Sequence, residues 1–214
     1  MPIVLSDVLS TSETQVLAEA ASTLPFADGA RTAGALARRV KDNEQAQPGP
    51  QTGAILDKVQ AALLRHPVFQ AVAYPRNFAS MMVTRTQGGG QYGPHVDNAL
   101  IGGLRADLSF TLFLSAPETY DGGALVIADR VEDRAFKLNK GEVVVYPSTT
   151  LHHVEPVTRG QRLVVVGWVQ SWIADAVQRE ILFDLWQASD AAQTTDAQRL
   201  LAKSRSNLIR MWAR

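Results

Sequence analysis

The sequence predicts an α+β protein with a core of antiparallel β-strands, arranged as a sandwich or barrel, and with helices at both ends. Between residues 68 and 171, short apolar or alternating segments are separated by glycine-rich turns. This pattern is typical of antiparallel sandwiches and barrels. On both sides of this region, apolar residues recur with the spacing of amphipathic helices.

The chain begins with a predicted helical lead-in that has breaks. Ser10 and Glu13 have the spacing of a capping box, which predicts a helix that continues to about Ala21. The stretch 44–53 is polar and rich in proline and glycine, so it is predicted to be a loop. Apolar residues with helical spacing then predict a second helix over about 55–63.

The β core is predicted to contain seven strands, each bounded by turn residues. They lie at residues 80–86, 107–115, 124–129, 134–138, 142–146, 152–157 and 162–171. Between two of them, the segment 139–141 has the sequence Asn-Lys-Gly, which predicts a hairpin turn.

Two further helices are predicted after the core, at 173–188 and 196–212. They form either a homodimer interface or a support for the β core, and the sequence leaves both open. The predicted organisation is a domain at 1–171, made of the helical lead-in 1–66 and the β core 68–171, followed by a helical extension at 172–214.

The composition excludes several classes of protein. The chain has 214 residues with 46% hydrophobic and 20% charged residues, and 21 basic residues balance 21 acidic ones. A zero net charge gives no global field for nucleic acid or membrane surfaces. The absence of cysteine excludes disulfides, thiolate metal sites and a cysteine nucleophile. With no signal peptide and no apolar run of about 20 residues, we expect a cytoplasmic protein.

Three of the four histidines lie in two short segments that suit a metal site. His95 and Asp97 are two residues apart, so on an extended segment both side chains point to the same side. His152 follows 55 residues after Asp97. Two imidazoles and one carboxylate that leave other positions open are the ligands typical of non-haem Fe(II) oxygenases. On its own, His95 is equally well interpreted as a turn residue.

Arg162 lies ten residues after His152, at the start of an apolar strand. Alternation places it on one face with Val164, Val166 and Trp168. Arginine is the best bidentate partner for a carboxylate, and burying it without an anion is costly. The alternative is an exposed residue at the start of the strand.

Five stretches of the chain carry a resemblance to a known family. They are Tyr92-Gly-Pro-His-Val-Asp97, Asp107-Leu-Ser-Phe-Thr-Leu-Phe-Leu-Ser115, Tyr120-Asp-Gly-Gly123, Tyr146-Pro-Ser-Thr-Thr-Leu-His152, and Pro156-Val-Thr-Arg-Gly-Gln-Arg162 continuing to Trp168-Val-Gln-Ser171. They resemble Fe(II)/2-oxoglutarate-dependent dioxygenases related to the prolyl 4-hydroxylase α subunit. More narrowly, they resemble the bacterial PKHD-type hydroxylases.

The resemblance implies a double-stranded β-helix, or jelly-roll, core. It implies that His95, Asp97 and His152 bind Fe(II), that Arg162 binds the distal carboxylate of 2-oxoglutarate, and that O2 is the other substrate. His152 is preferred over His153, because adjacent strand residues point opposite ways. The implied reaction hydroxylates a C–H bond while 2-oxoglutarate becomes succinate and CO2, with L-ascorbate as an additional cofactor. No catalytic residue beyond the metal centre is predicted.

Two positions near the cosubstrate are less defined. Tyr92 matches a position where the family often has an aromatic residue near 2-oxoglutarate, and it is equally well interpreted as a packing residue. Many relatives have a tyrosine just before the glycine-rich loop, where this chain has Arg85 and Thr86. Thr86 could supply a shorter hydroxyl, or a water could take its place.

Other functions remain open at this stage. The same His and Asp residues would also suit a non-catalytic β-barrel that binds a metal or anion, or a zinc hydrolase with Glu155 as the base. Alternation places Glu155 opposite His152, which disfavours the hydrolase. The substrate could be a peptidyl proline, a free amino acid or an iron-chelating small molecule. We expect the loops 98–106 and 117–122 to contact it.

Overall fold

The computed structural model describes residues 2–32, 40–129 and 131–214. Its helices are α1 (Thr11–Ser22), α2 (Pro50–Arg65), α3 (Pro67–Ala73), α4 (Ala176–Ala191) and α5 (Thr195–Trp212). Its strands are β1 (Ile3–Leu5), β2 (Phe26–Asp28), β3 (Lys41–Asp42), β4 (Glu44–Ala46), β5 (Pro75–Gln87), β6 (Gln91–His95), β7 (Leu100–Ile101), β8 (Leu104–Arg105), β9 (Leu108–Phe113), β10 (Asp121–Gly122), β11 (Leu125–Ile127), β12 (Arg134–Phe136), β13 (Val143–Pro147), β14 (His152–Val154), β15 (Val157–Arg159) and β16 (Gln161–Ser171).

Most strands belong to two antiparallel sheets that face each other. The larger sheet has the strand order β1-β13-β9-β16-β5-β4-β2, and the smaller has the order β12-β11-β14-β6-β3. Side chains from both sheets meet in one apolar cluster, which comprises Phe113, Leu125, Ile127, Phe136, Val144, Tyr146 and Val164. The predicted α+β class, with a β core between helices, is confirmed.

The first three helices pack against the outer face of the larger sheet. Leu17 of α1, Leu63 of α2 and Phe69 of α3 lie in one buried cluster with Leu112 and Val165 of the sheet. Burial of side chains of this size stabilises the fold by about 1.5–3 kcal/mol each. These helices therefore hold the larger sheet from behind and leave its other face toward the smaller sheet.

Strand β16 shows how alternation separates the two faces of the larger sheet. Leu163 and Val165 pack toward the helices. Arg162, Val166 and Trp168 instead line the space between the sheets. The alternation predicted for this strand is thus confirmed, and it directs Arg162 into the interior.

The N-terminal 66 residues contain strands as well as the predicted helices. The capping box is present, because Ser10 N–H donates to the Glu13 carboxylate at 2.8 Å and Glu13 N–H donates to Ser10 Oγ at 3.2 Å. The lead-in was predicted to be helical with breaks and without strands, whereas β1 to β4 join the edges of the two sheets. The 44–53 loop is also wrong at both ends: β4 begins at Glu44, and Pro50 opens α2, a position that proline favours.

The turn at 139–141 is present but does not form a hairpin. Gly141 has a φ of 92°, and Glu142 N–H donates to the Asn139 carbonyl at 3.1 Å. The strands on either side, β12 and β13, belong to different sheets. The turn therefore transfers the chain from the smaller sheet to the larger one.

The two C-terminal helices differ in how they attach. Leu182 of α4 is fully buried, and Arg179 Nη1 donates to the carbonyls of Ile173 and Ala174 at 2.7 and 2.9 Å. No residue of α5, all of which the structure describes, is buried. Both helices were predicted, although α4 begins at Ala176, after the Asp175 cap, and not at residue 173. Among the described residues, no helix combines the length and the apolar character needed to cross a membrane.

Candidate metal centre

A cavity of about 330 Å³ lies between the two sheets. The smaller sheet contributes one wall, with Lys41, Tyr92, His95, His152 and Val154. The larger sheet contributes the other, with Ser80, Met82, Thr84, Thr86, Ser109, Thr111, Arg162 and Trp168. Polar side chains that face inward from these strands would be costly to bury without partners, so the cavity is built to hold a polar ligand.

The three predicted ligands meet in this cavity. His95 ends β6 and His152 begins β14, and the two residues are paired across the smaller sheet. His95 Nε2 lies 3.9 Å from Asp97 Oδ1, and His152 Nε2 lies 3.7 Å from Asp97 Oδ2. One donor atom from each of the three residues lies within 4.8 Å of the others. Two imidazoles and a carboxylate in this arrangement fit a divalent metal such as Fe(II).

Backbone carbonyls fix the orientation of both histidines. His95 Nδ1 lies 2.9 Å from the Gly93 carbonyl, and His152 Nδ1 lies 2.9 Å from the Thr150 carbonyl. A carbonyl only accepts hydrogen bonds, so each Nδ1 carries the proton and donates. Each Nε2 is therefore left with its lone pair toward the cavity, as metal ligands require.

The protonation state of His95 also suits a metal ligand. Burial and, to a smaller extent, the neighbouring His152 lower the pKa of His95 to about 4. A neutral imidazole is the form that binds metals, and at neutral pH His95 is in that form.

Aromatic rings pack against both imidazoles. The Tyr92 ring stacks on His95 with centroids 3.6 Å apart and 14° between the planes. The Tyr146 ring meets His152 edge-on at 5.1 Å. Burial raises the pKa of Tyr92 to about 12. Tyr92 therefore packs against His95, which is one of the two roles predicted for it. Because it also lines the cavity, it is placed for the other predicted role, contact with the cosubstrate.

Asp97 is held from the larger sheet. Ser109 Oγ donates to Asp97 Oδ2 at 2.6 Å and shares a 2.7 Å hydrogen bond with Ser148 Oγ. Both serines are buried. A charge-assisted hydrogen bond of this kind leaves the other carboxylate oxygen, Oδ1, on the side of His95.

Arg162 is buried with only 3% of its surface exposed. It is paired with Thr86 on β5, and its guanidinium lies 5.3 Å from the centre of the Phe113 ring. In the described part of the chain, Arg162 Nε has no hydrogen-bond partner. Burial lowers the pKa of Arg162. A buried guanidinium with an unpaired N–H fits a ligand carboxylate.

Comparisons with known proteins agree with this geometry. Residues 81–170 match the model of the 2OG-Fe(II) oxygenase superfamily. A PKHD-type hydroxylase of Maricaulis maris is 47% identical over 192 residues, 88% of each chain. Another, of Acaryochloris marina, is 44% identical over the full length of both chains. The chain belongs to the PKHD-type hydroxylases. It is an Fe(II)- and 2-oxoglutarate-dependent dioxygenase that hydroxylates its substrate and converts 2-oxoglutarate to succinate and CO2.

Solved structures show the fold of this family. A Pseudomonas putida prolyl-4-hydroxylase aligns with a TM-score of 0.57 at 19% identity, over 79% of this chain and 92% of its own. The viral collagen prolyl hydroxylase of Paramecium Bursaria Chlorella virus-1, solved with 2-oxoglutarate, aligns with a TM-score of 0.56 at 20% identity, over 79% and 96%. The predicted jelly-roll core is confirmed, and oxygenase relatives favour this function over a zinc hydrolase or a non-catalytic module.

Of the remaining residues considered from the sequence, some line the cavity and others do not. Thr86 lines the cavity of the hydroxylase, whereas the neighbouring Arg85 points away and binds the Glu44 carboxylate at 2.6 and 2.9 Å. Of the residues described, His153 and Glu155 are not among those that line the cavity. A zinc hydrolase with Glu155 as its base is therefore disfavoured by position as well.

Of the two loops predicted to contact the substrate, one lines the cavity and the other does not. The loop 98–106 contributes Asn98 and Ile101 to the cavity wall. In the described chain, none of residues 117–122 lines the cavity, because β10 pairs with β15 and lies outside the two main sheets. Tyr120 from this segment packs behind Arg162 instead: a Cβ added to Gly123 would lie 3.1 Å from both Tyr120 Cε2 and Arg162 Cδ.

Sequence reasoning missed several polar residues of the site, and Ser109 and Lys41 are two of them. Ser109 alternates with Thr111 as a polar residue in the otherwise apolar β9, a signal that could have been recognised. Lys41 lies on the two-residue strand β3, which is too short to show any periodicity. Only its pairing with Tyr92 brings it to the cavity.

Proposed function

We propose that His95, Asp97 and His152 bind the Fe(II) and that Arg162 binds the distal carboxylate of 2-oxoglutarate. The convergence of the three donor atoms within 4.8 Å carries this proposal, and the unpaired, buried Nε of Arg162 supports the cosubstrate site. When bound, Fe(II) and 2-oxoglutarate supply the O2 activation and oxidative decarboxylation that allow hydroxylation of a C–H bond.

The protein contributes position, charge and exclusion of water. His95 and His152 hold their lone pairs toward the metal through the Nδ1 hydrogen bonds. Arg162 neutralises and orients the cosubstrate, with Thr86 beside it as a hydroxyl partner. Leu125 and Val166 line the cavity as apolar walls, which strengthens these electrostatic interactions. Tyr92 is a further candidate for contact with 2-oxoglutarate.

The substrate enters this proposal only as a class. Asn98 and Ile101 place the loop 98–106 at the cavity, so this loop is the proposed contact with the substrate. The relatives of the protein are named as hydroxylases. The substrates to test are a peptidyl proline, a free amino acid and an iron-chelating small molecule. Mass spectrometry after incubation with Fe(II), 2-oxoglutarate and 18O2 would identify a substrate by the gain of one labelled oxygen. Assays with and without L-ascorbate would test that additional cofactor.

The metal site has a matched test in two adjacent histidines. His152→Ala should abolish Fe(II) binding, measured by calorimetry under anaerobic conditions, and also succinate formation. His153→Ala should retain both, because His153 lies outside the cavity-lining set. Equal Fe(II) affinity in the two variants would contradict the ligand assignment.

We also propose that the chain forms a homodimer through its C-terminal helices. Leu200 and Met211 of α5 are exposed to 62% and 71%, and α5 contributes no buried residue to the fold, judged over its whole described length. An apolar strip of this kind is stabilised when it is covered by a partner.

The cytoplasmic location stays a prediction, which cell fractionation would test.

A further inference from the structure

Lys41 is a charged residue in the cavity that the proposed reaction does not use. Strand β3 pairs with β6 so that Lys41 lies opposite Tyr92. Its ammonium group lies 5.2 Å from the centre of the Tyr92 ring, and that ring stacks on His95. Lys41 is therefore next to the metal ligands on the wall formed by the smaller sheet.

The charges around the cavity do not balance. Among the described residues that line it, Lys41 and Arg162 are cationic and Asp97 is the single carboxylate. The two cations lie on opposite sheets. When the dianion 2-oxoglutarate and Fe(II) are added to these side chains, one net positive charge is left at Lys41. A partly buried charge of this kind is costly unless an anion neutralises it.

None of the groups that the structure describes supplies that anion. Among residues 2–32, 40–129 and 131–214, the Lys41 ammonium group forms no hydrogen bond or ion pair, and it lies over the Tyr92 ring. The acidic groups that face it are Asp97, which is committed to the metal and to Ser109, and Asp28, which is exposed to solvent. Burial lowers the pKa of Lys41 to about 8, although both carboxylates act to raise it.

We propose that Lys41 recognises a carboxylate of the substrate that is hydroxylated, an inference that rests on the proposed function. The substrate class is then a carboxylic acid, bound with its carboxylate at Lys41 and its reacting carbon toward the metal. The carboxylate comes either from a free acid, such as an amino acid, or from the side chain of an acidic residue in a peptide. Lys41 is in this assignment a specificity-determining residue.

The test uses the full-length protein loaded with Mn(II) and 2-oxoglutarate. The probes are the N-acetyl derivatives of the common amino acids and the matching N-acetyl amides. Binding beside Mn(II) is measured from the broadening of the acetyl proton resonance. An N-acetyl acid offers a terminal carboxylate, whereas the amides of aspartate and glutamate offer only a side-chain carboxylate. The two series therefore distinguish the two sources of the anion.

We expect at least one carboxylate-bearing probe to bind more tightly than its uncharged counterpart. In Lys41→Met this probe should bind about tenfold to a hundredfold more weakly, because a charged hydrogen bond is lost. Lys41→Arg should retain the preference, since it keeps the charge. Lys58→Met is the matched control, because Lys58 is exposed on α2, and it should behave as the wild type.

Three results would overturn the assignment. They are the absence of any preference for carboxylates in the wild type, equal affinity in Lys41→Met and the wild type, and a loss of 2-oxoglutarate affinity in Lys41→Met as large as the loss of the acid. The last would assign Lys41 to the cosubstrate. A wild-type protein that bound neither Mn(II) nor 2-oxoglutarate would instead contradict the proposed function itself.

Discussion

At the scale of single residues, the metal centre depends on groups that stand behind the ligands. Ser109 holds Asp97 from the opposite sheet through a 2.6 Å hydrogen bond. The Asp97 carboxylate would otherwise be free to rotate away from the two histidines. Outer hydrogen-bond partners of this kind commonly affect metal affinity by about tenfold to a hundredfold.

Ser109→Ala should therefore weaken Fe(II) binding by about tenfold to a hundredfold while the protein stays folded. Anaerobic calorimetry measures the affinity, and circular dichroism checks the fold. Ser115→Ala is a matched control, because Ser115 Oγ accepts from Leu163 N–H at 2.9 Å and donates to the Gln161 carbonyl at 2.8 Å. It should lower the melting temperature and leave Fe(II) affinity unchanged. The same Fe(II) affinity in both variants would refute a role for Ser109.

The cosubstrate site has its own pair of variants. Arg162→Lys should weaken 2-oxoglutarate binding by about tenfold to a hundredfold, because lysine keeps the charge but cannot form two parallel hydrogen bonds to a carboxylate. Arg159→Lys changes an exposed pair with Asp121 and should have little effect. Quenching of tryptophan fluorescence by 2-oxoglutarate in the Mn(II)-loaded protein provides the measurement. An unchanged affinity in Arg162→Lys would assign the carboxylate to another residue.

The site residues that could be predicted from the sequence are those on long alternating strands. Arg162 lies on the eleven-residue strand β16, where alternation alone directs it inward. The choice between His152 and His153 follows from the same rule and agrees with the residues that line the cavity. Lys41 could not be predicted, because its position depends on a pairing between β3 and β6 across 51 residues of sequence.

At the scale of elements, the longest strands were predicted from the sequence and the two-residue strands were not. Strands β5, β9 and β16 are six residues or longer, and each overlaps a predicted segment. Strands β3, β7 and β10 have two residues each. A segment of that length is too short to show the alternation of apolar and polar residues that predicts a strand. Their conformation is fixed by partner strands that are distant in sequence. The segment 152–157 is interrupted for a local reason, since Pro156 lies between β14 and β15 and cannot donate to a ladder.

Two glycines, one in the centre of the larger sheet and one in α2, should respond in opposite ways to substitution by alanine. A Cβ at Gly167 would lie 2.5 Å from the ring of buried Phe110 and 2.8 Å from Met81 Cγ, so Gly167→Ala should destabilise the protein by about 1–3 kcal/mol. Gly53 lies in α2 with nothing within 4 Å of an added Cβ, so Gly53→Ala should stabilise it by up to about 1 kcal/mol. Urea unfolding measures both. A Gly167→Ala variant as stable as the wild type would mean that Phe110 can move aside.

At the scale of the whole molecule, the two ends of the chain have different relations to the core. The N-terminal segments complete the edges of both sheets, since β1 pairs with β13, β3 with β6 and β4 with β5. The predicted division between a domain and a helical extension at residue 171 stays a prediction. Within the extension, α4 is anchored by Leu182 and Arg179, whereas α5 has no buried residue along its described length. The Acaryochloris marina relative matches over the full length of both chains, so the sequence similarity includes the helical extension.

Removal of residues 194–214 would decide between the two roles predicted for the C-terminal helices. Without α5, the cavity keeps all of its lining residues, so Fe(II) and 2-oxoglutarate affinities should be unchanged. Sedimentation should show a dimer for the full chain and a monomer for the truncated one, because the exposed Leu200 and Met211 are lost. The full-length double variant Leu200→Asp, Met211→Asp is the control for deletion artefacts, and it should also be monomeric. A truncated chain that remained dimeric would exclude α5 as the interface, and one that lost Fe(II) binding would show that α5 supports the core.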